Sequence, residues 1–302
     1  MVKIRIKRIV REFVSIINAN NIISTYPNIK AKEHKVNLLD YNLDEAGIRH
    51  YNAGVPYNLG DELGKVVIDW MLACANRGLS RDMWVKKKKF FLSIGSGLLF
   101  SYQDATFWGT GVERDDYPLH QLFFHRNPLR KLDIRAVRGP LSREMIIKLG
   151  HKCPEVYGDP AILMPLIYKP DVEKCHDYAV IPQYYTEGKV RDQYKDEFII
   201  SMNTNNFKEV IDKIVSCRKV ITSSLHGIIL AEAYGIPAIW YRGLRKSVDF
   251  KYRDWYYSTN RHEFPIATSI EEALLMEPPA IPNLTDLQKG IMEVFPYDLW
   301  EQ

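Results

Sequence analysis

Apolar positions along this chain recur with two periods, and the switches between them mark a succession of short strands and helices. The clearest stretch lies between residues 218 and 242. Lys219–Thr222 has the pattern of a short buried strand, Ser223 and Ser224 are helix-capping types, and Leu225–Tyr234 is apolar almost all round until Gly235 and Pro237 stop it. A second strand, Ala238–Tyr241, follows at once. Strand, short helix and strand in so few residues predict the β-α-β unit of a parallel sheet, with its helix buried.

The same patterns extend over most of the chain. In the first half they predict strands at Arg49–Asn52, Phe90–Ile94, Thr106–Trp108 and Asp133–Val137, with a further strand and turn at 156–165. Helices are expected at Glu62–Ala75 and from Pro140 to Leu149, the second ended by Gly150. Residues 20–48 have little periodicity and are expected to be an irregular lead-in. Pro165, Pro170 and the polar stretch Glu173–Asp177 have the punctuation of an interdomain linker. Beyond it come strands at Tyr178–Ile181 and Glu197–Met202, a helix at Asn206–Ser216, the unit described above, and helices at Ile270–Leu275 and Thr285–Phe295. The expected organisation is an N-terminal segment 1–30, an α/β domain 31–167 and a second α/β domain 168–302, whose last helix is a candidate to pack back on the first. The fold class is α/β, with two Rossmann-like domains facing across a cleft.

The N-terminal segment has a pattern of its own. Ile6, Val10, Phe13 and Ile17 share one helical face, and Lys3, Lys7 and Arg11 lie on another. Such a basic amphipathic segment suits peripheral contact with an anionic inner membrane face, or docking on the protein with its charges in water.

Composition mainly excludes. A net charge of +4 with no long basic tract and no zinc-finger or RNP-like pattern argues against a nucleic-acid partner. The four cysteines are scattered without a CxxC pair, which indicates neither zinc nor a disulfide framework. No apolar run reaches the roughly 18 residues of a membrane span, and a cytoplasmic location is expected.

Chemistry is suggested where polar residues interrupt the pattern. His226 lies in the first turn of an otherwise apolar helix, where free N–H groups and the helix dipole favour an anion. An imidazole there is a candidate proton donor, against the alternative of a histidine merely hydrogen-bonded near a strand end. Asn58, Gly60 and Asp61 fall in a predicted loop beyond a strand's carboxyl end, where open α/β sheets hold ligands, although Gly60 and Asp61 also suit a turn and a helix cap. Arg138 is predicted to project from a strand end toward the same edge, where it calls for an anion. Two glycine loops, Gly95-Ser-Gly97 and Gly109-Thr-Gly111, match neither a P-loop nor a complete GxGxxG motif. The aromatics of Phe250–Ser258, interleaved with charge, suit either core or a sugar-stacking surface.

Taken together, Asn58-Leu-Gly-Asp61, Trp108-Gly-Thr-Gly111, Val137-Arg-Gly-Pro140, Gly158-Asp-Pro160, Ser223-Ser-Leu-His-Gly227 with Gly235-Ile-Pro237, and Phe250–Ser258 resemble the polysaccharide pyruvyl transferase family, over roughly residues 48–260. One departure is Gln183, where many members carry a histidine in an Ile-Pro-His-Tyr loop. The resemblance implies a bilobed fold of the GT-B type and transfer of the enolpyruvyl unit of phosphoenolpyruvate onto sugar hydroxyls, as a ketal, in surface polysaccharide synthesis. It implies no cofactor, phosphoenolpyruvate being the donor substrate, and no metal. Its acceptor would be a sugar or a lipid-linked oligosaccharide. On this reading His226 is the general acid and Asp61 a candidate base. Arg138, the Ser224 and Leu225 amides, Asn58, Gly60, Arg242 and Lys251 are expected to bind substrate. Two alternatives stand beside it: a GT-B nucleotide-sugar glycosyltransferase, with Glu232 on the ribose hydroxyls, and a non-catalytic sugar-binding protein. Both Arg138 and His226 argue against the second.

Overall fold

A computed structural model describes residues 36–38, 58–78, 89–99, 104–117, 131–194, 198–243 and 249–300. The basic segment 2–17 and the strand expected at Arg49–Asn52 lie outside the described residues. Two parallel sheets organise the rest. The first holds β1 (Val36–Leu38), β2 (Lys89–Leu92), β3 (Ala105–Trp108) and β4 (Leu132–Ala136), side by side in that order. The second holds β5 (His176–Ile181), β6 (Cys217–Thr222), β7 (Ala238–Tyr241) and β8 (Ile266–Ala267) in the same way. β3 and β7 are buried at every position, as strands covered on both faces are, whereas β4, Leu-Asp-Ile-Arg-Ala, alternates toward its end.

A single bridge sets where the connections of the second sheet part. Ile199 pairs in parallel with Val180, which sits within β5. Since β6 occupies the other side of β5, the chain goes first to the free edge of β5 and then back across it. That reversal makes the carboxyl ends of β5 and β6 a topological switch point, where the two outgoing connections part and leave a crevice. The segments leaving these ends are Pro182–Gln183 and Ser223–His226.

Helices follow from caps and apolar stripes. α1 (Leu59–Cys74) begins at Asn58, whose side-chain oxygen accepts the Gly60 N–H at 3.2 Å, and it has Asp61 and Glu62 in its first turn. It therefore starts earlier than expected. Gly60 and Asp61 are helical, and Asn58 is the cap. α2 (Pro140–Lys148) opens on proline, and the 3-10 helix Pro160–Leu163 runs directly into α3 (Met164–Ile167). α4 (Glu187–Gln193) and α5 (Phe207–Val215) precede β6. α6 (Leu225–Ala233), capped by Ser224, is buried from Leu225 to Glu232, so it has to lie inside the protein. α7 (Phe250–Ser258), α8 (Ile270–Leu275) and α9 (Thr285–Glu293) complete the chain with a 3-10 turn at Tyr297–Leu299.

The strand expected at Glu197–Met202 is reduced to the Ile199 bridge, and that expected near Val156 to a bridge between Tyr157 and Val137. The aromatics of Phe250–Ser258 prove to be core: Tyr252, Trp255 and Tyr256 are fully buried. One apolar cluster serves both sheets. It takes in Leu59 and Leu63 of α1, Phe91 and Trp108 of the first sheet, Ile162 and Leu163 of the 3-10 helix, and Ile228 and Trp240 of the second half. Among the described residues no helix is long and apolar enough to cross a membrane.

The end of the chain returns to the first sheet. Trp108 Nε1 donates to the Ile291 carbonyl at 2.7 Å, and the Phe295 ring meets Trp108 edge-on at 4.8 Å. Trp300 stacks on Phe295 and meets Phe91 edge-on, with centroids 5.7 Å apart in both pairs. Trp300 is 1% exposed although it is almost the last residue. We expect Trp300→Ala to lower stability by about 3–5 kcal/mol, the usual range for truncating a buried aromatic, measured by urea unfolding. A loss below about 1 kcal/mol would mean that this tail adds little to the core.

Candidate functional site

At the switch point the catalytic candidate takes its place through three contacts. Ser224 caps α6 by accepting the Gly227 N–H at 3.4 Å, which sets His226 one residue into the first turn. Gly60, in the first turn of α1, lies against the imidazole at its Nδ1 corner. A Cβ added to Gly60 would fall 2.0 Å from Nδ1, so no larger residue fits without moving the ring or the helix. On the other side Nε2 lies 3.6 Å from Asp159 Oδ2. Asp159 is the N-cap of the 3-10 helix, where its other oxygen accepts the Ala161 N–H at 3.0 Å. Both Nε2 and Oδ2 are shielded from solvent and neither forms a hydrogen bond. Three elements distant in sequence thus meet on one ring.

Of the two amides expected to meet an anion, Ser224 and Leu225, the first is already engaged. The Ser224 N–H is taken by Thr222 Oγ1 at 3.0 Å, so it is not open to a ligand. The N–H groups of Leu225 and His226, at the first two positions of the helix, have no intrahelical acceptor.

Arg138 does not reach this crevice. Its side chain is fully buried, with Nε 3.1 Å from Asp254 Oδ2, Nη1 on Ser96 Oγ and the Gly95 carbonyl, and Nη2 on the Val112 carbonyl. Asp254, also fully buried, accepts the Ser142 N–H at 2.9 Å and the Ser142 hydroxyl at 2.6 Å. The anion that the sequence reading reserved for a ligand is thus a carboxylate of the same chain, carried by α7. The glycine loops make room for it: a Cβ at Gly111 would lie 2.4 Å from Arg138 Cζ, and one at Gly139 only 2.0 Å from the Asp254 carbonyl.

Comparison with known proteins now adds to the geometry. The sequence pattern of the polysaccharide pyruvyl transferase family matches residues 88–243, just over half of the chain. The chain belongs to the polysaccharide pyruvyl transferase family. An uncharacterized protein of Acanthamoeba polyphaga mimivirus is 32% identical over 92 residues, which are 28% of this chain and 32% of that protein. The chain thus spans about a third of the length of the curated relative that it matches. A functionally uncharacterized Klebsiella pneumoniae protein of known crystal structure superposes with a TM-score of 0.50 at 13% identity, over 78% of this chain and 94% of that one. This second likeness concerns the fold alone.

The other residues expected to bind substrate in this pyruvyl transferase relative are placed as follows. Asn58 caps α1 and donates to Asp61 Oδ2 at 2.8 Å. Asp61, next to Gly60, faces the Gly95 loop. Arg242 follows β7 and forms a two-point pair with Asp249, at 2.7 and 3.4 Å. The Lys251 ammonium lies 5.4 Å from the Tyr252 ring centroid. Gln183, the departure from the family pattern, is buried and donates to Tyr252 Oη at 2.8 Å, and that hydroxyl donates to the Ser223 carbonyl at 2.7 Å. In this chain the position therefore ties the β5 loop to α7. Glu232, assigned to ribose in the glycosyltransferase alternative, is 3% exposed and occupied by Arg261 and Trp255 Nε1. Asp159 is the residue that sequence reasoning missed. Its signal was the Gly158-Asp-Pro160 motif, in which an aspartate stands before the proline of a helical turn.

The Arg138–Asp254 pair yields a prediction. Burial pushes the Asp254 carboxyl above its ordinary value, against the pull of Arg138 and Ser142. A carboxyl raised by folding contributes stability at low pH that is lost as pH climbs through the folded-state value. Removing Arg138 raises that value further. Arg138→Met should therefore cost about 3–5 kcal/mol near neutrality and less at mildly acidic pH, because each step toward a protonated Asp254 lessens its need for a partner. Urea unfolding at the two pH values measures the difference. An equal loss at both would mean that the pair does not act through charge.

Proposed function

We propose that this chain transfers the enolpyruvyl unit of phosphoenolpyruvate to sugar hydroxyls, closing a cyclic ketal, during assembly of a surface polysaccharide. The observation that carries this reading is His226 at the switch point of a pyruvyl transferase relative, beside two helix N–H groups with no acceptor in the helix. Phosphoenolpyruvate brings a phosphate and a carboxylate, and the first turn of α6 offers Leu225 and His226 N–H groups at its positive end. The two parallel sheets are consistent with the lobes of a GT-B-like enzyme, and on this reading the acceptor approaches from the carboxyl ends of the first-sheet strands.

The chemistry is a proton transfer followed by addition. His226 Nδ1, the ring nitrogen not turned toward Asp159, gives its proton to the methylene carbon of phosphoenolpyruvate. The central carbon then has oxocarbenium character and is captured by a sugar hydroxyl. Phosphate departs as a second hydroxyl closes the ketal, and carries away that hydroxyl's proton. Asp61, one residue from the glycine that lies on His226, is the group we assign to take the acceptor's proton. Proton transfer, hydroxyl addition and phosphate loss of this kind need neither metal nor cofactor. The buried, doubly occupied Glu232 gives no support to the nucleotide-sugar alternative.

Phosphoenolpyruvate should raise the melting temperature of the protein, whereas UDP- and GDP-sugars should leave it unchanged. With a panel of hexopyranosides as acceptors, phosphate release should fall by roughly 10²–10⁴ in His226→Ala, the range for loss of a general acid. The variant should still be stabilised by phosphoenolpyruvate. Stabilisation by nucleotide sugars instead would refute the donor, and full turnover in His226→Ala would move the proton role elsewhere.

A further inference from the structure

The Asp159 carboxylate is not explained by its helix cap. It is fully buried, one oxygen is occupied by the Ala161 N–H, and the other has no hydrogen-bond donor. An ionised oxygen left without a partner in the interior is costly, and native proteins rarely tolerate one without a use for it. The group it faces is equally unsatisfied: His226 Nε2 is shielded, lies 3.6 Å away and has no other acceptor among the described residues. Because Nε2 is shielded, the 11% of the His226 side chain still exposed belongs to its other atoms. Gly60 packs its backbone against the ring near Nδ1, so closely that an added Cβ would fall 2.0 Å from that atom, while Nε2 is the ring nitrogen that is buried without a partner.

We propose that Asp159 is a positioning residue that holds His226 by Nε2–H, so that Nδ1 is the nitrogen presented to substrate. The inference rests on the proton-donor role of His226 argued above. In the protonated ring both nitrogens carry hydrogen, and the Nε2–H points at Asp159 Oδ2. When Nδ1–H passes its proton to the methylene carbon, the electron pair of that N–H bond stays on Nδ1. The neutral ring that results is the Nε2–H tautomer, the one Asp159 accepts from. Asp159 takes no proton at any point. The gap of 3.6 Å is longer than a formed hydrogen bond, and it closes when ligand fixes the ring, as catalytic contacts commonly do.

The helix cap makes one substitution diagnostic. In Asp159→Asn the amide oxygen has to remain on the Ala161 N–H, since an NH₂ group cannot accept, and the NH₂ then takes the place of Oδ2 opposite Nε2. The cap survives, but a donor now faces Nε2 and favours the opposite tautomer. Nitrogen-15 shifts of histidine-labelled protein at about pH 9, where an imidazole is neutral, read the tautomer without any substrate, and loss of the signal in His226→Gln identifies the ring. We expect Nε2–H in the parent and Nδ1–H in Asp159→Asn. In the phosphate-release assay, kcat should fall by roughly 10²–10³, with KM for phosphoenolpyruvate unchanged within about threefold. A purely structural role would lower the melting temperature and leave both tautomer and kcat alone.

An Nδ1–H tautomer in the parent overturns the proposal, and this measurement needs no substitution at Asp159, only the folded His226→Gln variant that assigns the signal. An unchanged tautomer or an unchanged kcat in Asp159→Asn overturns it as well. If the parent releases no phosphate from phosphoenolpyruvate, the proposed reaction has failed, and the tautomer measurement alone then decides whether Asp159 holds His226.

Discussion

A guanidinium removed from water has to find all its acceptors in protein, and Arg138 finds them in both halves of the chain. Its charge partner, Asp254, belongs to α7 of the second half, while Gly95, Ser96 and Val112 belong to loops of the first. Losing either charge would leave the other buried and uncompensated, which costs far more than the intact pair contributes. The pair therefore acts less as a source of net stability than as a condition on geometry. The loops after β2 and β3 have to wrap the guanidinium, and α7 has to lie where its carboxylate meets it. Once α7 is placed, Tyr252 is placed with it, and the Tyr252 hydroxyl links Gln183 to the Ser223 carbonyl at the root of the α6 turn.

The site around His226 obeys a second condition, on space. Gly60 allows α1 to come within contact of the imidazole, and the same cluster of Leu59, Ile162 and Ile228 that packs α1, the 3-10 helix and α6 together brings Asp159 to the ring's far side. Apolar packing thus supplies the precision, and two small polar caps, Asn58 and Asp159, decide where each helix begins. This division explains how a carboxylate and an imidazole come to face each other with both facing atoms shielded.

Much of this was legible in the chain and some was not, for identifiable reasons. The β6–α6–β7 unit was predictable because a helix apolar on every side has only one place to go. α5, α8 and the start of α2 were legible from stripes, caps and a proline. The reach of Arg138 was misread because a strand-end arginine announces that it needs an anion without saying whose. Asp254, 116 positions away, carries no local mark of being that anion. The glycine loops could be read either way for the same cause, since close backbone approach looks alike whether a ligand or a guanidinium is accommodated. Ser224 was taken as an open donor because capping by its side chain was foreseen, and the capture of its own N–H by Thr222 was not. Asp159 was visible as part of a motif, but its meaning depends on a neighbour in space. Glu197–Met202 had the composition of a strand, yet it meets its partner only at Ile199.

The return of α9 and Trp300 to the first sheet bears on how the chain can be divided. The proline-punctuated stretch between the sheets looks like the natural cut, yet a fragment ending there would lack the Ile291 carbonyl that satisfies Trp108 Nε1, the rings that cover Phe91, and the counter-charge of Arg138. Its complement would carry Asp254 and a tail of aromatic side chains with nothing to rest on. Each piece would be a sticky, incomplete protein, and a chimera that exchanged one half for that of a distant relative would inherit the same mismatches. The chain is thus two sheets in topology and one unit in inheritance.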